Sequence, residues 1–144
     1  MIEKDTIRLL RECDAGIKMG VSAISEVLDY THDENLKKSL EGNRREHEAL
    51  QEEITELLHA YHDEGKEPGA MAKGMSWMKT NIKLTLDDSD KVVADLITDG
   101  CDMGTKNLRR YLNQYQAADE RSKDFAKRLI ELEERLRADM REYL

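Results

Sequence analysis

Apolar residues recur along most of the chain at alternating steps of three and four, the spacing that keeps one face of an α-helix in register. In the first stretch the row is Ile7, Leu10, Ile17, Val21, Ile24 and Leu28, with Asp14 standing where a hydrophobe is expected. A second row, Leu9, Cys13, Gly16, Gly20, Ala23, Val27 and Tyr30, lies beside it. Together they predict a helix over residues 4–30 with two buried faces, one lined by small residues. Each glycine costs about 1 kcal/mol against Ala in a helix. Close approach of the third helix is the expected compensation.

Thr31-His32-Asp33-Glu34 reads as a capping box, Thr at the N-cap and Glu three residues on. It opens a second helix reaching residue 63, whose seam is Leu36, Leu40, Asn43, His47, Leu50, Ile54, Leu57 and Tyr61. A short connection makes the two helices antiparallel neighbours. Counted outward from His32, Asp14 and His47 fall within three residues of one level, about 4.5 Å along a helix axis. Asp14, His47 and Asn43 are therefore expected to share a layer of the core.

Glu64-Gly65-Lys66-Glu67-Pro68-Gly69 breaks the pattern. Beyond it, Met71, Met75, Met78, Ile82 and Leu86 mark one face of a short amphipathic helix with Trp77 and Leu84 beside it, read as a crossover lying along the bundle. The Met-rich face suits adaptable packing. Asp87-Asp88-Ser89-Asp90 supplies capping groups for a third helix over residues 90–116, with the row Val93, Ile97, Cys101, Gly104, Leu108, Tyr111 and Tyr115. After a tight turn at 117–119, a fourth helix reaches residue 143 on Phe125, Leu129, Leu132, Leu136, Met140 and Tyr143, a seam without a polar member. The mixed charges over 131–137 and 44–53 read as solvated faces with i,i+4 pairing.

The hexapeptide Cys13-Asp14-Ala15-Gly16-Ile17-Lys18 returns as Cys101-Asp102-Met103-Gly104-Thr105-Lys106, with Cys, Asp, Gly and Lys kept. Its place in each half points to a duplicated helical hairpin. The organisation predicted is one all-α domain over 1–144: a hairpin over 4–63, a crossover over 64–89 and a hairpin over 90–143.

Composition narrows the function classes. Charged residues make up 38% of the 144, aromatics 5%, and proline occurs once, a helix-forming balance. The net charge of −8 argues against a nucleic-acid partner, which needs a basic face. No apolar run approaches membrane length, and Met1-Ile2-Glu3-Lys4 runs straight into the helical pattern. A cytoplasmic protein without a membrane partner, its two cysteines reduced and buried, is expected. If the two hexapeptides face each other, the thiols are neighbours.

The chain resembles the ferritin-like superfamily of four-helix bundles. More narrowly, it is similar to an uncharacterised bacterial family known as domain of unknown function 2383. The residues that carry this are Leu9-Leu10-Arg11-Glu12-Cys13-Asp14-Ala15-Gly16, the return through 43–53, Asp99-Gly100-Cys101-Asp102-Met103-Gly104 and the connector Met75-Ser76-Trp77-Met78. The resemblance implies an antiparallel ferritin-like bundle. In its metal-binding members, two helices each give a Glu and two each give Glu-x-x-His. Here Glu56-Leu57-Leu58-His59, near the end of the second helix, is the one Glu-x-x-His, and the fourth helix has no histidine. A conventional di-iron enzyme is therefore not expected.

Two smaller metal sites stay open. Asp14, His47 and Asp102, with Glu12, Glu46, Glu48 or Asp99 in reach, would suit iron, manganese or zinc. Against this stands a purely structural buried Asp–His pair satisfied by Asn43. Glu56, His59 and His62, beside Asp63, form a second set, against which stands simple exposure at a helix end. No nucleophile–base pattern or phosphate-cradling loop is present in the sequence. The function expected is a non-enzymatic structural or protein-interaction role, as a dimer or with a protein partner, with no cofactor. The alternative is a metal-binding protein in iron storage or oxidant handling.

Overall fold

The computed structural model describes residues 2–67 and 89–144. Within them lie four long α-helices: α1 (Lys4–Leu28), α2 (Glu34–Ala60), α3 (Asp90–Gln114) and α4 (Glu120–Met140), the last continued by a 3₁₀ turn at Arg141–Tyr143. The apolar rows place every one of these boundaries within three residues. The amphipathic segment expected over 70–86 lies outside the described residues.

The caps explain where each helix starts and stops. At the start of α2, the carboxylate of Asp33 accepts from the Leu36 N–H at 2.9 Å. Thr31 is not the N-cap. It is buried, and its hydroxyl donates back to the Val27 carbonyl of α1 at 2.8 Å. The expected capping box therefore gives way to an Asp cap two residues later. Ser89 and Asp119 cap α3 and α4 by accepting from Val92 and Ser122. α2 ends in paired return bonds, Asp63 N–H to Leu58 carbonyl and His62 N–H to His59 carbonyl. His62 takes the left-handed conformation this stop requires, with φ 59°.

Contacts at the two ends fix the chain direction. At one end, both carboxylate oxygens of Asp90 accept from the backbone of the α1–α2 loop, His32 N–H at 2.7 Å and Asp33 N–H at 3.0 Å. The Tyr143 hydroxyl donates to Asp33 at 3.2 Å. At the other end, Asp119 N–H donates to the Thr6 hydroxyl and Ala117 N–H to Asp5. So α1 and α4 run one way, and α2 and α3 the other. The end of α2 and the start of α3 therefore lie at opposite ends of the bundle, about 40 Å apart for a helix of α2's length.

α1 packs on all three other helices, and α4 does the same. The interior divides into two apolar clusters. One, near the 115–119 turn, includes Leu10, Ile17, Ile54, Phe125 and Leu129. The other, near the 29–33 loop, includes Ile24, Leu36, Leu40, Ile97 and Met140. Each such side chain, fully buried, contributes roughly 1.5–3 kcal/mol. Across the α2–α4 seam, Arg128 pairs with Glu53 and Arg135 with Glu46. These exposed pairs set neighbours more than they stabilise. Among the described residues no helix is long and apolar enough to cross a membrane.

The helical glycines do not bring α1 against α3 as expected. Gly16 faces Leu129 of α4, Gly20 faces the ring of His47 on α2, and Gly104 faces Glu133 on α4. The room they leave is filled by side chains, not by a second backbone. Nor are the thiols neighbours within one cluster: Cys13 is buried with the first and Cys101 with the second.

Asp90 thus ties two hairpins together through a single carboxylate. Asp90→Ala is expected to lower stability by about 1–3 kcal/mol through loss of two charge-assisted bonds. Urea unfolding of the variant measures it, and an unchanged midpoint would show that the loop holds itself.

Candidate functional site

The two copies of the hexapeptide meet different surroundings. Asp14, on α1, is 2% exposed. Lys18, one turn on, reaches it at 2.9 Å, and the Lys66 backbone N–H donates to its Oδ2 at 3.0 Å. The chain leaving α2 folds back over α1 to make this contact. Arg11 holds Asp63 through Nε and Nη2, Asp63 accepts from Gly65 N–H, and Lys66 pairs with Glu12. Lys18 also reaches Glu67 at 3.0 Å. Gly65 is required here. Its φ is +85°, and a Cβ added to it would collide with the Asp14 carboxylate. The hydrogen bond from Arg11 holds the Asp63 carboxyl below its usual range. Asp14 is therefore the inner part of a clasp that binds the connector to α1.

Asp102 has no such connector over it. It is exposed and pairs with Arg137 of α4 at 2.8 Å. Cys101, beside it, is buried.

Asp14, His47 and Asp102 are consequently not brought together. Asp14 turns to the connector, His47 to Gly20 and Asp102 to the surface. The shared layer expected for Asp14 and His47 fails because Tyr30 and Thr31 prolong the end of α1 through backbone bonds to Val27 and Leu28 before the chain turns. Gly20 rather than Asp14 then stands opposite His47. The six-residue offset from Asp14 to Gly20 amounts to about 9 Å. The carboxylates proposed around that site are also engaged: Glu12 by Lys66, Glu46 by Arg135, and Glu48 with Arg44 at 3.5 Å. Glu56, His59 and His62 are exposed, and His62 serves as the left-handed stop of α2. Among the described residues no three His, Cys, Asp or Glu side chains form a group able to hold a metal ion. A di-metal centre of the Glu and Glu-x-x-His kind does not fit the donors present.

A different polar layer lies at mid-bundle, between the two apolar clusters. His47 is 1% exposed. Its Nδ1 lies 3.0 Å from the Asn43 carbonyl one turn back. Burial pushes its pKa below the ordinary 6.5, so the neutral ring donates from Nδ1 and lays its Nε2 edge over Gly20. The Asn43 amide donates to the Leu132 carbonyl of α4 at 3.0 Å, while its Oδ1 is buried without a partner among the described residues. Glu133, on α4, is 8% exposed and rests on Gly104 of α3. Burial drives its pKa up to about 8. No family model, curated protein or solved structure matches the chain.

Glu133 overturns the reading of α4 as an apolar seam with a solvated charged flank. The charge alternation over 131–137 hid it. One signal was available: Glu133 follows Ala126 and Ile130 by seven and three residues, on a second buried stripe of α4. Each hairpin thus carries one buried ionisable side chain on its second helix, resting on a glycine of its first.

Chemically the layer is quiet. An imidazole bonded to a backbone carbonyl and a neutral carboxyl on a glycine form no nucleophile–base pair. Both thiols are pushed up to about 12, chiefly by burial and further by nearby acids including Glu133. They are not nucleophiles near pH 7.

Two outcomes are expected. Asp14→Ala lowers stability by about 1.5–3 kcal/mol, the worth of a buried charged hydrogen-bond acceptor, while Asp102→Ala changes it by less than about 0.5 kcal/mol. Equal effects in urea unfolding would contradict the clasp. For His47, the folded protein resists protonation that the unfolded chain accepts. Stability therefore falls as pH drops below about 6.5, by up to about 1.4 kcal/mol per pH unit, until the folded-state pKa is passed. His47→Leu should remove that slope.

Proposed function

We propose that this chain is a ferritin-like bundle serving as a structural or protein-interaction module, without a catalytic metal centre. The observation that carries this is the filling of the mid-bundle layer by two packing pairs, His47 on Gly20 and Glu133 on Gly104. In the metal-binding bundles that this chain resembles, carboxylates and imidazoles from four helices converge at such a layer. Here α1 and α3 each contribute a glycine against those side chains. The chain directions support the ferritin-like reading, since a return along the full bundle between two hairpins is one of the known connectivities of four-helix bundles.

The working surface is then the outside of the bundle. It carries interspersed charges of both signs, many already paired across helices. A protein partner or a second copy of the chain suits it better than nucleic acid, given the net charge of −8.

The deciding experiment measures metal and size together. Protein loaded with iron, manganese or zinc and then desalted is expected to hold substoichiometric metal, equally in wild type, Asp14→Ala and His47→Ala. Light scattering is expected to give a monomer of 16.6 kDa or a dimer. Stoichiometric metal lost in both variants, or a large closed shell, would overturn the proposal.

A further inference from the structure

The carboxyl of Glu133 occupies the space that a side chain at position 104 would need. A Cβ added to Gly104 would fall 2.6 Å from Oε1 and closer still to Oε2. The α3 backbone therefore forms one wall of the recess and α4 carries the group that fills it. Oε2 is buried and has no hydrogen-bond partner among the described residues.

The surroundings offer an ionised form nothing. From α1 the nearby titratable group is the Cys13 thiol, with Glu12 and Asp14 beyond it, and from α3 it is the Cys101 thiol; both thiols stay protonated. The buried titratable group of α2 is His47, which is neutral and turned onto Gly20. On α4 itself, Arg137 lies one turn away and is held at the surface by Asp102. An ionised carboxylate at this place would be a bare negative charge in the core. Such a charge is relieved by moving to water. Gly104 walls one side of the recess, so a local parting of α3 and α4 would open the carboxyl to water.

We propose that Glu133 and Gly104 form a protonation-controlled joint between α3 and α4, closed while the carboxyl is neutral and released when it ionises.

The direction of the effect follows from linkage. Once opened to water, Glu133 titrates near the ordinary 4.5, whereas closed it titrates at about 8. Between these values the closed form holds a proton that the open form has lost. Raising the pH therefore favours opening roughly tenfold per unit, and the dependence stops once the closed form also ionises.

Amide hydrogen exchange of the full chain tests the joint. Glu133→Gln keeps the shape and cannot ionise, and Glu133→Met serves as the reference if the Gln variant does not fold. At each pH, the ratio of wild-type to variant exchange rates cancels the intrinsic chemistry of the amide. For amides of α3 from Cys101 to Leu108, this ratio should climb roughly tenfold per unit from about pH 5.5 to 7.5 and level off above about 8. In the outer turns of α1 and α2 it should stay flat. A ratio independent of pH in α3 would overturn the proposal. So would an equal rise in all four helices, which would place the proton in global unfolding and leave no local joint.

Discussion

An ionisable side chain can enter the middle of four packed helices only if it has space and need not carry charge, and this constraint orders the interior of the protein. An isolated charge transferred to an apolar interior costs several kcal/mol even after relaxation. His47 and Glu133 avoid that cost by remaining neutral, one with its pKa pushed down and the other with its pKa pushed up. The space comes from glycine. Gly20 and Gly104 weaken their own helices by about 1 kcal/mol each relative to Ala, and in return α1 and α3 accept a polar side chain flush against the backbone. The apolar clusters on either side supply the driving force that offsets both terms.

Because the two clusters are similar in kind, the interior alone does little to fix which helix end goes where. That information sits at the ends. The Asp90 carboxylate reads the backbone of the 29–33 loop, Thr6 accepts from the 117–119 turn, and the Asp14–Lys18 clasp holds the exit from α2. Bonds of this type are directional, unlike hydrophobic contact, and those to buried or charged groups carry more weight than exposed ion pairs. They favour one threading of two near-equivalent hairpins over its alternatives.

The helices were legible in the sequence, because apolar spacing reports directly on which face is buried. Leu36, Leu40, Leu50 and Ile54 all lie in the core as their period required. Asn43 and His47 lie on that same buried stripe, where the period also puts them. Three features escaped. The α2 cap moved from Thr31 to Asp33, since any of several short polar residues can accept from the first-turn amides and tertiary contacts choose among them. The level of Asp14 relative to His47 depended on how a five-residue loop divides between two helix ends, which periodicity does not record. Glu133 was lost in a run where charge is the norm. Its burial is set by the glycine opposite it on another helix, information that no window around residue 133 contains.

The duplicated hexapeptide shows the same limit from the other side. Both copies keep Cys, Asp, Gly and Lys, and both cysteines are buried. Yet one aspartate is an inaccessible clasp and the other an exposed partner of Arg137. The helix places Asp14 and Asp102 at matching positions within the repeat, so the helix cannot be what distinguishes them. What distinguishes them is the strand of chain at 63–67, which lies over α1 and supplies a backbone N–H to Asp14. Gly65 makes that approach possible, and Arg11, Glu12 and Lys18 secure it with charge. A carboxylate takes its chemical character from the donors that reach it. Lys18, inside the repeat, pairs with Asp14, but the backbone donor that covers Asp14 comes from a connector outside it, so sequence identity between the two halves carries no identity of role.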